Sequence, residues 1–158
     1  SRLYPRAALR AAADGGAGNQ EKLGNKGGII IVEDSKSTSS QSLAAALGSF
    51  GNTKNLLLIV GGSDKGDSFE YLESLFVSRV KAIVSIGATK EQFIQIAKNS
   101  NIPYIGTDDL SEGVKWLYEK RQIGDILMIS PGCASFGLFK DYLDRANQFR
   151  DIIKKLPE

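Results

Sequence analysis

At 158 residues, with 42% hydrophobic and 24% charged side chains, the chain has the composition of one ordinary globular domain with room for a sizeable core. It contains no histidine and one cysteine, which excludes Ser-His-Asp and Cys-His nucleophile systems, histidine-ligated metals, thiolate zinc sites and any internal disulfide. The net charge is +2 and sits at the front: residues 1–28 hold five basic and two acidic side chains, and the rest hold 15 and 16. That near-neutral body has no basic stripe for a phosphate backbone, so no nucleic-acid partner is expected. Apolar runs such as Asn55–Val60 and Ile126–Ile129 are too short to span a bilayer, so no membrane association is expected either.

Residues 1–27 read as a separate head. Arg6–Ala13 suits a short helix, and Gly15, Gly16 and Gly18 end it. No signal-peptide apolar region is present, and Asp14 and Glu21 argue against a transit peptide. The composition points to a linker or expression-derived segment, expected to be disordered, with an interaction arm as the alternative. The folded body is taken as residues 28–158.

From Gly28 onward, short β-branched runs alternate with helical periodicity. Ile29–Val32 reads as a buried strand. Ser39–Phe50 follows with Leu43, Ala44, Leu47 and Phe50 at helical spacing. Leu56–Val60 is a second strand, and Ser68–Phe76 a helix presenting Phe69, Leu72, Leu75 and Phe76. Ala82–Ile86 is the third strand, and Lys90–Asn99 a helix with Phe93, Ile94 and Ala97 inward. Pro103–Ile105 is a short strand, limited by its proline to an edge or a strand start. Leu110–Arg121 is a helix with Val114, Leu117 and Tyr118 inward, and Ile126–Ile129 the fifth strand. Ser135 to Lys155 is largely helical, with Phe139, Tyr142, Phe149 and Ile152.

Strands alternating with helices imply an α/β fold: a Rossmann-like, mainly parallel sheet of about five to six strands with helices on both faces. Right-handed crossovers put every strand-to-helix loop on one edge, outside the carboxyl ends of the strands, where such sheets bind ligands. Those loops are Glu33–Ser39, Gly61–Asp67, Gly87–Thr89, Gly106–Asp109 and Ser130–Ser135.

Three of them carry chemistry. The first, Glu33-Asp34-Ser35-Lys36-Ser37-Thr38, sets carboxylates, an ammonium and hydroxyls at a helix start, where free N–H groups favour an anion. The same residues would also serve as an ordinary Ser/Thr cap. The second, Gly61-Gly62-Ser63-Asp64-Lys65-Gly66, lets the backbone approach a ligand and offers Lys65 to a carboxylate or phosphate; it is neither a Walker A loop nor GxGxxG, and a tight turn is the plain alternative. The third, Ser130-Pro131-Gly132-Cys133-Ala134-Ser135-Phe136, leaves room at a strand end, with Ser135 as cap and anion ligand. Cys133 has no histidine to activate it and reads as a small packed residue.

The ordered set, completed by Phe139-Lys140-Asp141-Tyr142 and Arg145-Ala146-Asn147-Gln148-Phe149, resembles the C-terminal domain of the Mur ligases, over about Gly28 to Lys155. The Asp-Ser-Lys-x-Thr form is similar to the branch that adds D-glutamate to UDP-N-acetylmuramoyl-L-alanine. The resemblance implies a three-domain cytoplasmic bacterial enzyme of peptidoglycan synthesis. Its central ATPase domain binds ATP and Mg²⁺ and forms an acyl phosphate, and the D-glutamate amine attacks it. It further implies that Lys36, Thr38, Lys65, Ser135 and Phe136 hold D-glutamate, with Tyr142 as an aromatic wall, and that Asp34 faces the nucleotide ribose. None of these would be catalytic in itself, and none binds metal.

Two positions depart from the family pattern: Glu33 stands where Asn or Asp is usual, and Ala146 replaces a glycine. The sequence also contains no Gly-Lys-Thr phosphate loop and no UDP-sugar domain, so the chain alone is expected to be inactive. A folylpolyglutamate synthase-like amide ligase and a stand-alone small-anion binding module are the competing readings.

Overall fold

The computed structural model describes residues 21–33, 47, 53–62, 73–87, 90–132, 140 and 142–157. In chain order they form β1 (Glu21–Lys26), β2 (Ile29–Glu33), β3 (Leu56–Gly62), α1 (Glu73–Arg79), β4 (Val80–Gly87), α2 (Lys90–Asn99), β5 (Tyr104–Gly106), α3 (Leu110–Glu119), β6 (Ile126–Gly132) and α4 (Tyr142–Lys154). The six strands make one sheet in the order β1-β2-β6-β3-β4-β5. All neighbouring pairs are parallel except β1 with β2.

Alternation along the strands divides the core into two layers. Ile30, Val32, Leu56, Leu58, Val60, Ile83, Ile126 and Met128 face one way. They meet Leu47, Phe76 of α1 and Phe93, Ile96 and Ala97 of α2, with the Phe76 and Phe93 rings parallel at 6.4 Å between centroids. Ile29, Ile31, Leu57, Ile59, Ala82, Val84, Leu127 and Ile129 face the other way, onto Val114 and Leu117 of α3 and Phe149 and Ile153 of α4. Strands buried on both faces explain the near-continuous apolar runs. In α2 the deeply buried isoleucine is Ile96, with Ile94 only half-buried.

The head is not wholly separate from the body. Glu21–Lys26, expected to lie in a disordered segment, is the antiparallel edge strand β1, with Lys26 opposite Ile29 and a bulge between Lys22 and Gly24. The connecting Gly27 and Gly28 both have positive φ, 56° and 85°, as the two central residues of a type I′ hairpin turn require. Leu23 packs on the α3/α4 layer, and Lys26 Nζ donates to the Lys154 carbonyl at 3.4 Å. Residues 1–20, including the expected Arg6–Ala13 helix, lie outside the described residues, as do most of the expected Ser39–Phe50 helix and the Ser68–Leu72 and Ser135–Phe139 helix starts.

Candidate functional site

The strands run further than the apolar runs suggest. Glu33, Gly61, Gly62, Gly87, Gly106 and Ser130–Gly132, read as loop residues, are the last residues of their strands. Backbone pairing continues past the point where side chains stop being aliphatic, because the ladder needs only N–H and C=O groups. Pro131 has no N–H to give, and the β3–β6 register slips between Ile59 and Gly61, a bulge of the kind where a strand tolerates proline.

The sheet order brings the three signal loops together. β2, β6 and β3 are consecutive neighbours and mutually parallel. The segments after Glu33, after Gly132 and after Gly62 therefore leave from one edge, across two strand spacings, about 10 Å. Asp34, Lys36, Thr38, Lys65, Ser135 and Phe136 lie on those segments but outside the described residues. Tyr142 is described by its backbone, as the first residue of α4.

Gly61 has a reason other than ligand approach. Its φ is +139°, and a Cβ on it would collide with the Ile86 backbone of β4. At this position glycine answers to the neighbouring strand.

Two ion pairs organise the described part of this edge. Glu33, 4% exposed, accepts from Arg150 Nε of α4 at 2.9 Å. Its placement follows from parity: Ile29, Ile31 and Glu33 share the face that α4 covers. Further along the edge, Asp108 accepts from the Gly87 N–H at 3.1 Å and pairs with Lys90 Nζ at 3.0 Å. These contacts hold the Asp108 carboxyl below its usual value, the Lys90 ammonium contributing most and the Gly87 amide next. Asp109 caps α3 by accepting from the Glu112 N–H at 3.2 Å, and Ser85 Oγ donates to the Lys90 carbonyl at 2.9 Å. Sequence reasoning missed Glu33 and Arg150 as partners; the signal was the alternation of Ile29, Ile31 and Glu33.

The Arg145-Ala146-Asn147-Gln148-Phe149 motif is a helical face. Arg145, Ala146 and Phe149 are buried at 1%, 2% and 0%, while Asn147 and Gln148 are exposed. Ala146, which stands where the family pattern has glycine, thus packs inside the fold.

No family model matches the chain. Among curated proteins, the UDP-N-acetylmuramoylalanine–D-glutamate ligase of Chlamydia abortus is 33% identical over 136 residues, and that of Aquifex aeolicus 36% over 135. That of Latilactobacillus sakei is 38% identical over 132. These matches take in 86%, 85% and 83% of this chain. The chain belongs to the Mur ligase family. It spans 32%, 32% and 29% of the length of those three relatives, about a third of a ligase. Among solved structures, a domain described as part of a UDP-N-acetylmuramate:L-alanyl-gamma-D-glutamyl-diaminopimelate ligase from Haemophilus ducreyi matches with a TM-score of 0.53 and 16% identity. That match covers 84% of this Mur ligase chain and 98% of the other, and shows the shared fold.

Among the described residues no group of three or more His, Cys, Asp or Glu side chains is placed to hold a metal ion. Nor is any described helix long and apolar enough to cross a membrane.

Proposed function

We propose that the chain is the C-terminal, D-glutamate-binding part of a ligase that joins D-glutamate to UDP-N-acetylmuramoyl-L-alanine in the bacterial cytoplasm. The observation that supports this reading is that β2, β3 and β6, the strands at whose carboxyl ends the Asp34–Thr38, Gly61–Gly66 and Ser130–Phe136 motifs stand in the sequence, are adjacent and parallel. Lys36, Thr38, Lys65, Ser135 and Phe136 would hold the amino acid and Tyr142 would wall it. A dicarboxylate calls for this mixture of ammonium, hydroxyl and helix-start amides.

In this reading ATP and Mg²⁺ bind chiefly to the central part of the ligase and supply an acyl phosphate on the alanine carboxylate. This chain's residues orient D-glutamate so that its amine faces that carbonyl, and Asp34 faces the ribose. Orientation is the larger share of the work, because a fixed amine at the carbonyl replaces a bimolecular encounter.

The test is an acceptor panel with the complete ligase, reading ADP release against D-glutamate, L-glutamate and other amino acids. D-glutamate alone should support turnover. A preference for L-glutamate on a folate substrate would favour the folylpolyglutamate synthase-like reading. Binding of an anion without any ATP-dependent turnover would favour the stand-alone module.

A further inference from the structure

Two contacts fix the direction and level of α4 against the sheet. Lys26 Nζ donates to the Lys154 carbonyl at 3.4 Å, near the amino end of β2, since Lys26 pairs with Ile29. Arg150 Nε reaches Glu33 at 2.9 Å, at the carboxyl end of the same strand. The helix therefore runs antiparallel to β2, and its start lies on the candidate-site side. Tyr142 stands eight residues before Arg150, about 12 Å of helix rise. Long helical side chains lean toward the helix start, which takes up part of that distance. The first turns of α4 therefore project beyond the last residue of β2, over the edge from which the segment beginning at Asp34 departs. This overhang is packed: Arg145, within it, is 1% exposed.

We infer that Glu33 and Arg150 are a positioning pair, which sets the level of the α4 overhang against the end of β2 and so the spacing between two walls of the D-glutamate site. The inference rests on the proposed function and adds to it a pair that touches no substrate. Glu33 is the strand residue next to Asp34, so its side chain fixes the point from which that segment leaves. A buried carboxylate is costly without a cation, so the pair holds one arrangement rather than several. Across 117 positions of sequence, it ties the first strand of the site to the last helix.

The test uses the complete ligase with Glu33→Gln, which keeps shape and removes charge, Arg150→Met, which keeps most of the stem, and the double variant. Each single variant should raise the D-glutamate KM about 10-fold, with kcat and the ATP KM within twofold of the parent. The double variant should be no worse than the worse single one, as expected for two groups acting as one unit. Arg150→Lys should recover part of the loss. An unchanged D-glutamate KM in a folded Glu33→Gln enzyme overturns the inference. So do single effects that multiply in the double variant, or a fall in melting temperature that lowers kcat and raises both KM values alike. A parent enzyme that does not accept D-glutamate overturns the functional reading itself. A parent that does, with silent variants, overturns the positioning pair alone.

Discussion

A Cβ placed on Gly61 would run into the carbonyl oxygen of Ile86 and lie 2.7 Å from its carbon and 2.9 Å from its nitrogen. β4 thus passes too close to β3 for any side chain there, and the φ of +139° adds a conformation that L-residues avoid. Gly61→Ala should destabilise the fold by about 2–5 kcal/mol, from overpacking and backbone strain together. Gly24 has a similar φ but open space around it, so Gly24→Ala carries strain alone and should cost about 1–3 kcal/mol. Urea unfolding of both variants checks the difference. Equal losses would mean that the close approach at Gly61 relaxes freely.

The β1 hairpin supports a second expectation. A chain beginning at Gln20 retains β1, whereas one beginning at Gly28 leaves Ile29–Val32 as the sheet edge. An uncovered apolar edge invites pairing with other chains. The shorter chain should melt lower and self-associate in sedimentation, and the longer one should do neither. Hydrogen exchange should show slowed amides in Lys22–Lys26, and random-coil rates there would remove β1 from the fold in solution.

How far the sequence discloses this molecule depends on which physical signal each feature leaves. Ile29–Val32 and Ile126–Ile129 announce themselves because strands buried on both faces must be apolar throughout. β1 does not, because Glu21-Lys22-Leu23-Gly24-Asn25-Lys26 is a half-buried edge with one apolar side chain, and its pairing with β2 uses backbone groups alone. Its one signal was Gly27-Gly28, a two-residue turn that can be read as a hairpin before it is read as a boundary. The strand ends read short for the same reason: Gly61 pairs with Gly132, and Gly62 with Gly87, without an aliphatic side chain. The order and spacing of the candidate loops were legible, and parallel strands put those loops on one edge, but the place of β6 between β2 and β3 was not, because crossover handedness does not fix strand order. The Glu33–Arg150 contact was legible only by half: the alternation of Ile29, Ile31 and Glu33 gives the face that Glu33 shares, but nothing local names its partner 117 positions away.

Acid should weaken the fold in part through Asp108. Its folded carboxyl is held below its ordinary value of 3.8 by Lys90 and the Gly87 amide. Unfolded chains therefore take up this proton at higher pH than folded ones, and stability rises with pH through that window. The contribution is complete above the ordinary value and is lost as pH falls through the lowered one. Asp144, held low by the Lys140 amide and then by Gln148, acts in the same sense. The Asp108 carboxylate is half exposed, so solvent screening keeps its contribution under about 1 kcal/mol. Asp108→Asn should cost that contribution, under about 1 kcal/mol, at pH 7 and little in acid, so that the low-pH stability profile flattens. An unchanged low-pH slope would show that the pair forms equally in the unfolded chain.

Lys65 is the sharpest test of the proposed site. It lies in the segment that follows Gly62, the last residue of the strand next to β6, and is read as the ammonium facing a D-glutamate carboxylate. Lys65→Ala in the complete ligase removes a charge-assisted hydrogen bond to a partly desolvated anion, an interaction of about 1.5–3 kcal/mol. The D-glutamate KM should rise roughly 10- to 100-fold, with the ATP KM nearly unchanged. Lys65→Arg should restore only part of it, because a planar fork does not replace a compact ammonium. Lys98, exposed in the last turn of α2, is the control, and its substitution by alanine should change neither constant. Melting temperature should be the same for all three variants within a few degrees, which separates binding from folding. If Lys65→Ala folds and keeps the parent KM, the segment after Gly62 is only a turn, and the proposed site loses its central cation.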